Sequence, residues 1–346
     1  MRTVIDLSML GWTPDRVAGL PETCLPGRIS RVDRGRVRVL TAGGERRVSL
    51  APALWRDCEG SGPAVGDWVA IRDDQALALL PRTSAFVRGS AGRTSAPQVV
   101  AANLDVVLVV DSLLGEARLR RVERYLAVAW SSGATPVVVL TKADLCPDVP
   151  AAVEQVSEDA LGVDVVAVSS LTGEGLDAVH ALLGPGRTGA MVGPSGVGKS
   201  SLANALAGRP IAETQEIRAD GRGRHTTTAR ELHLLPGGGL LIDTPGMREL
   251  GLYDDAEGIG TTYSDVTELA TGCRYRDCRH RTEPGCAVAA AIDEGSLDPA
   301  RLLAWRKLQA EAHRQLLRVD ARARAVQKTR LRALHRQLRE QPNRPR

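Results

Sequence analysis

The pattern of apolar and polar positions changes period along the chain. From about Leu25 to Arg93 the runs are short and alternate. Gly27-Arg-Ile-Ser-Arg-Val and Arg36-Val-Arg-Val-Leu set apolar residues between basic ones, and Val65-Gly-Asp-Trp-Val-Ala-Ile enters another such run. A period of two is that of a half-exposed strand, and Ala42-Gly-Gly-Glu reads as a turn. Several short strands with glycine turns predict a small β-barrel, with the OB-fold as the preferred form.

A Gly/Ser/Thr/Arg-rich stretch from Arg88 to Pro97 predicts a linker. After it, near-continuous apolar strands alternate with helical segments. Strands are expected at Leu104 to Asp111, Pro136 to Leu140, Val163 to Val168, Gly189 to Gly193, Glu231 to Leu235 and Leu240 to Asp243. Helices are expected at Leu119 to Ser131, Leu176 to Leu183 and Lys199 to Ala207. Such alternation predicts an α/β fold around a mainly parallel sheet. From about Thr267 a Cys/His cluster precedes a helix that starts near Asp298-Pro-Ala and carries Leu302, Trp305, Leu308 and Leu316. Three domains are therefore expected: a barrel over residues 1–95, an α/β domain over 96–265, and a mostly helical metal-binding domain with a basic tail over 266–346.

Composition agrees with this division. The chain has 346 residues, 43% hydrophobic and 25% charged, enough apolar material for a core in each domain. Aromatics are only 3%, so those cores must rest on Val, Leu, Ala and Ile. The net charge of +4 is unevenly spread: Ala321 to Arg346 holds nine Arg or Lys against one Glu. This points to a polyanionic partner, or, for residues 341–346, to a solvated end. Arg31, Arg34, Arg36, Arg38, Arg46 and Arg47 would face RNA phosphates from the barrel, or line a solvated barrel edge. No signal-peptide pattern opens the chain, and no apolar run approaches the ~20 residues of a membrane span. A cytoplasmic monomer without a membrane segment is expected.

The candidate chemistry begins at Gly193-Pro-Ser-Gly-Val-Gly-Lys-Ser, which matches G-x-x-x-x-G-K-[ST] between a strand and a helix. Backbone N–H groups from Gly193, Pro194, Ser195, Gly196, Val197, Gly198 and on to Ser201 would surround phosphates, omitting the proline nitrogen, which has no hydrogen. The helix N-terminus adds positive potential. Lys199 would reach the β- and γ-phosphates, and Ser200 would ligate Mg2+. About 50 residues further on, Asp243-Thr-Pro-Gly ends a strand. Asp243 would hold the magnesium, and Gly246 would offer its N–H to the γ-phosphate. Only four of the 45 basic residues are lysine, and two of those, Lys142 and Lys199, lie in the nucleotide motifs.

Thr141-Lys-Ala-Asp resembles the guanine-specificity motif of G proteins, Asn-Lys-x-Asp. The Asp144 carboxylate can accept from two guanine donors that adenine does not present together, so it would select GTP over ATP. Lys142 would lie along the base, and Thr141 replaces the usual Asn. Ser169 and Ser170, after the next strand, resemble the loop that touches guanine O6. Gly221-Arg-Gly-Arg-His-Thr-Thr-Thr occupies the place of a first switch loop. Thr227 is the candidate magnesium ligand there, with Thr226 and Thr228 as alternatives. The guanine loops precede the P-loop, whereas ordinary G proteins have the reverse. Cyclically the order is kept, so the motifs are circularly permuted, and the new chain break falls just after the Asp243 switch. That switch then leads directly into the Cys/His segment.

Cys273-x4-Cys278-x-His280-x5-Cys286 brings three thiols and one imidazole within 14 residues. A closed Cys3His set suits tetrahedral structural Zn2+. The other cysteines, Cys24, Cys58 and Cys146, are scattered. His233 and His313 read as ordinary surface or core residues.

Taken together, these motifs resemble the small-ribosomal-subunit biogenesis GTPases, the ribosome-small-subunit-dependent GTPase A family of bacteria. The resemblance runs through Val65-Gly-Asp-Trp-Val, Arg120-Arg-Val-Glu-Arg-Tyr-Leu, Thr141–Asp144, Gly193–Ser201, His225-Thr-Thr-Thr, Asp243–Gly246 and Gly272-Cys to Pro284-Gly-Cys-Ala-Val. It implies an OB-fold, a permuted GTPase and a zinc domain. It also implies GTP and GDP as ligands and binding to the small ribosomal subunit and its rRNA late in maturation, with hydrolysis stimulated there. Many G proteins place a Gln near Met247 to orient the attacking water, which Met cannot do. By resemblance His225 would serve instead; the alternative is a loop histidine facing RNA or solvent. Lys199 and Thr227 complete the expected catalytic set. Family relatives that use potassium often carry Asn where this chain has Gly196.

Overall fold

The computed structural model describes residues 5–33, 35–57, 62–88, 98–114, 119–212, 230–243 and 256–319. Two short 3-10 stretches, Leu7–Leu10 and Pro14–Gly19, precede the first strand. Asp6 caps the first of them, its Oδ1 accepting from the Ser8 amide at 2.9 Å.

Five strands then close a barrel: β1 (Leu25–Asp33), β2 (Arg36–Thr41), β3 (Gly44–Leu50), β4 (Trp68–Arg72) and β5 (Gln75–Leu79), with helix α1 (Pro52–Asp57) between β3 and β4. The order is β1-β2-β3-β5-β4, and β4 pairs back onto β1. The alternation in β2 turns Val37 and Val39 inward, where Ile29, Val48, Leu54, Val69 and Ile71 meet them. Of the expected outward arginines, Arg31 and Arg38 sit against Asp33, at 2.9 and 3.8 Å. Arg47 also approaches Asp33 at 3.7 Å, and Arg46 pairs with Asp74. Arg34 lies outside the described residues.

Strands β6 (Ala85–Arg88) and β7 (Gln98–Ala102) pair antiparallel on either side of the expected linker. The α/β region follows as β8 (Val106–Ser112), α2 (Leu119–Ser131), β9 (Thr135–Thr141), α3 (Val149–Asp159), β10 (Asp164–Ala167), α4 (Leu176–Leu182), β11 (Thr188–Val192), α5 (Lys199–Ala207), β12 (Glu231–Leu234) and β13 (Leu240–Asp243). The order is β10-β9-β8-β11-β13-β12. All neighbours are parallel except β12, which runs antiparallel to β13. Both faces of β8 are buried, which is why it reads as an unbroken apolar run. Val106, Leu108 and Val110 pack with Leu202 and Leu206 of α5, while Val107 and Val109 join the core that holds Val122 and Leu126 of α2.

The helical region comprises α6 (Ala256–Thr262), α7 (Ser264–Thr271), α8 (Ala287–Asp293) and α9 (Pro299–Val319). The long final helix forms where Asp298-Pro-Ala signalled it. The α2 helix spans the residues its pattern predicts.

Barrel and α/β sheet meet at one register pair, Arg31 of β1 and Glu231 of β12. Beneath that joint lies a buried guanidinium. Arg28 donates to the carbonyls of Leu10, Gly66 (3.3 Å) and Asn103 (2.9 Å), tying the N-terminal stretch, the barrel and the entry to β8. Burial lowers its pKa to about 10. The Trp68 ring lies 5.6 Å from it.

Candidate functional site

The C-terminal ends of the parallel strands gather the candidate nucleotide residues on one edge of the sheet, where ligands of open α/β sheets bind. β11 runs into the P-loop, and Lys199 opens α5. Gly193 has φ 143° and lies against the Val110 carbonyl of the next strand, so a Cβ there would overlap that oxygen. Only glycine lets the loop leave the sheet at this point. The Lys199 ammonium donates to the carbonyls of Gly193 (2.8 Å) and Pro194, which lays it across the loop it serves. Ser195 and Gly196 are exposed, and Ser200 and Ser201 follow in the first turn of the helix.

Two of the guanine-loop candidates, Thr141 and Lys142, are bound to the P-loop directly. Thr141, buried at the end of β9, directs its hydroxyl to the carbonyls of Val197 and Asp111, the latter at 3.2 Å. Thr141 thus spans P-loop and neighbouring strand from the position where the motif usually has Asn. Lys142 takes a left-handed conformation (φ 63°), and its ammonium donates to the Gly196 carbonyl at 3.3 Å. Asp144 accepts from the Ser169 hydroxyl at 2.6 Å. The same hydroxyl accepts from the amides of Leu171 (3.3 Å) and Thr172 (3.2 Å). Ser169 is fully buried, whereas Leu171 is 85% exposed. Ser170 lies between them, half-buried. Asp243 ends β13, the strand beside β11. His225, Thr226, Thr227, Thr228 and Gly246 lie outside the described residues.

The thiols and imidazole of Cys273, Cys278, His280 and Cys286 converge, all four ligand atoms within 4.8 Å of one another. His280 Nδ1 is 3.5 Å from the sulfurs of Cys273 and Cys286, which are 3.9 Å apart. Tetrahedral zinc with ordinary Zn–S and Zn–N bonds would set these edges at about 3.6 and about 3.8 Å. The donor set fits zinc in chemistry, and the edges among Cys273, His280 and Cys286 fit it in spacing. Burial pushes the Cys278 thiol up to about 11 and the His280 imidazole down. A divalent cation would reverse the first and favour the second, since it takes thiolates and a neutral imidazole.

The loop between the ligands is shaped from outside. Glu283 accepts from the amides of Arg281 (2.7 Å), Arg279 (3.1 Å) and Thr282 (3.1 Å), and these bonds hold its carboxyl down at about 2. From α9, Arg306 donates to the carbonyls of Arg279 and His280, and the Trp305 ring lies 5.6 Å from the imidazole. His233 is half-buried in β12, and burial lowers its pKa; His313 is exposed on α9. Both are apart from this cluster.

Two further polar groups near these sites are held by ion pairs. Asp111, at the end of β8, receives Arg121 of α2 at 2.9 Å on both oxygens. Glu123 of α2 is buried against Tyr263 and Arg301. In sequence Arg121 and Glu123 stand in the Arg120-Arg-Val-Glu-Arg-Tyr-Leu segment, which does not show which residues they meet.

The chain's similarity to known proteins agrees with this geometry. The RsgA GTPase family model matches residues 79–253, about half of the chain. A protein from Streptomyces coelicolor named small ribosomal subunit biogenesis GTPase RsgA is 48% identical, over 88% of this chain and 85% of its own length. A protein of the same name from Methanosarcina acetivorans is 41% identical, over 90% of this chain and 85% of its own. Among solved structures, YjeQ from Thermotoga maritima superposes with a TM-score of 0.63 at 24% identity, over 84% of this chain and 98% of that one. YloQ, described as a circularly permuted GTPase, superposes with a TM-score of 0.60 at 24% identity, over 84% and 96%. Those two likenesses establish the fold, and the sequence matches establish the family. The chain belongs to the RsgA GTPase family and is a GTP hydrolase built on a circularly permuted core.

Proposed function

We propose that this GTP hydrolase is a biogenesis factor of the small ribosomal subunit, working as a cytoplasmic monomer on GTP and on the subunit's rRNA. The observation that carries the reading is the 48% identity to a small ribosomal subunit biogenesis GTPase across 88% of the chain, which takes in barrel, GTPase and metal-binding region together. Among the described residues no helix is long and apolar enough to cross a membrane.

In this reading Asp144 accepts the two guanine donors, held in aim by Ser169, and Lys142 lies along the base. Lys199 leaves its two loop carbonyls for the β- and γ-phosphates, which offer the ammonium stronger, charged acceptors. Ser200, Asp243 and Thr227 would hold magnesium, which when bound neutralises charge on the transferring phosphoryl group. His225 orients the attacking water in place of the Gln that Met247 replaces. Cys273, Cys278, His280 and Cys286 hold one structural zinc. Bound there, zinc would add stability to the region and offer no open catalytic position.

Co-sedimentation of the protein with purified small subunits, in a non-hydrolysable GTP analogue and in GDP, tests the reading. Binding that is stronger with the analogue is expected. Equal sedimentation with large and small subunits would contradict it.

A further inference from the structure

One turn of α2 touches both the nucleotide edge of the sheet and the C-terminal helices around the metal cluster. On the nucleotide side, Arg121 grips the buried Asp111 carboxylate. The Asp111 carbonyl accepts from the Thr141 hydroxyl, which also reaches the Val197 carbonyl of the P-loop. Two residues along the helix, Glu123 uses both carboxylate oxygens. Tyr263 donates its hydroxyl at 2.9 Å and Arg301 its Nη1 at 3.0 Å. Arg301 also donates to Asp265 and, at 3.0 Å, to the Thr262 carbonyl, with its guanidinium 4.9 Å from the Tyr263 ring. The next residue, Arg124, pairs with Glu311 on α9 at 2.5 Å.

These helices also touch backbone to backbone. A Cβ on Gly258 of α6 would overlap the Ala127 carbonyl of α2, so the two helices meet closely at that point. An apolar contact would hold them as firmly, because replacing a buried ion pair by hydrophobic groups is often neutral or stabilising. What the charged network adds is direction. Glu123 and Arg301 bond along fixed axes, so α6, α7 and α9 have one rotation and one register relative to α2.

We propose that Glu123 and Arg301 are positioning residues that carry the placement of α6, α7 and α9, the helices around the metal cluster, to the nucleotide site. The path runs from Arg301 to Glu123, along one turn of α2 to Arg121 and Asp111, and through Thr141 to the P-loop. It adds to the covalent link by which β13 leads into α6. A partner that shifts α9 is then felt at Val197, and a nucleotide that tightens the P-loop is felt at α9. The hydrolysis arm of the test below rests on the proposed subunit-stimulated activity, and the exchange arm does not.

Amide hydrogen exchange is compared between the full-length parent, Glu123→Gln and Arg301→Met, with zinc content measured in each. Glu123→Gln keeps the shape and a partner for Tyr263 but loses the charge facing Arg301. Exchange at Ser112 and in the P-loop should rise about tenfold, with zinc content unchanged. A rise confined to α2, α6, α7 and α9 overturns the proposal, since the network would then be a local brace. In the second arm, the ratio of hydrolysis with small subunits to hydrolysis without them should fall about tenfold in either variant. The double variant should fall no further than the singles. A parental ratio in a folded single variant overturns the proposal. A parent unresponsive to subunits contradicts the proposed function, and the exchange arm still decides the coupling. Arg301→Lys, which keeps the charge and a bond toward Glu123, should recover part of both effects and guards against variants that do not fold.

Discussion

The Ser169 hydroxyl stands 2.6 Å from Asp144 Oδ1, tying together two loops 25 residues apart. A carboxylate fixed by a donor behind it keeps its remaining lone pairs aimed outward. Guanine selectivity should therefore depend on both residues. Asp144→Asn should weaken GTP binding and favour xanthosine triphosphate, which presents the reversed donor pattern. Ser169→Ala should weaken GTP about tenfold, the size expected for a hydrogen bond to a charged group. Competition of ATP, GTP and xanthosine triphosphate against a fluorescent GDP analogue measures this. Equal affinity of the parent for GTP and ATP would remove the assignment.

The metal cluster predicts about one equivalent of zinc per chain by elemental analysis. Cys278→Ser should lower the melting temperature and the zinc content together. A metal-free protein with an unchanged melting profile would contradict the site.

The buried Arg28 predicts a stability effect remote from any chemistry. Arg28→Met fills the space and strands the carbonyls of Leu10 and Asn103, while the Gly66 carbonyl keeps the Asn103 side-chain amide at 3.1 Å. Unpaired buried acceptors cost about 1–3 kcal/mol each, so a loss of about 3 kcal/mol is expected in urea unfolding. A loss below about 1 kcal/mol would mean that water reaches those carbonyls once the guanidinium is gone.

What the sequence makes legible is what chain-local spacing encodes. The P-loop, Thr141–Asp144 and the Cys3His set each lie within a short run, and the geometry that joins Thr141, Lys142 and Asp144 to their neighbours follows from strand ends meeting on one edge. The central strands β8, β9 and β11 show because both faces are buried and the runs are nearly all apolar. The barrel shows less fully. β5 is short and mostly half-buried, and Gly44-Glu-Arg-Arg-Val at the start of β3 carries too little alternation to announce a strand. The Glu123–Arg301 pair spans 178 residues, and nothing local to either residue signals the other. Arg28 is harder still, because its partners are backbone carbonyls that no side-chain pattern reveals.

His225 carries the least structural support and the sharpest kinetic expectation. His225→Ala should slow subunit-stimulated turnover about a hundredfold while GTP affinity stays unchanged, because the residue acts on the attacking water and not on bound phosphate. The variant should also remain longer on subunits in GTP. Single-turnover hydrolysis and co-sedimentation check both. Normal hydrolysis on subunits would return His225 to the role of a loop residue facing RNA or solvent.

The central claim, that this permuted GTPase answers to the small ribosomal subunit, is tested most directly by single-turnover GTP hydrolysis of the parent protein alone, with purified small subunits, and with purified large subunits. The account predicts that small subunits accelerate the reaction and large subunits do not. The same rate in all three conditions would contradict it.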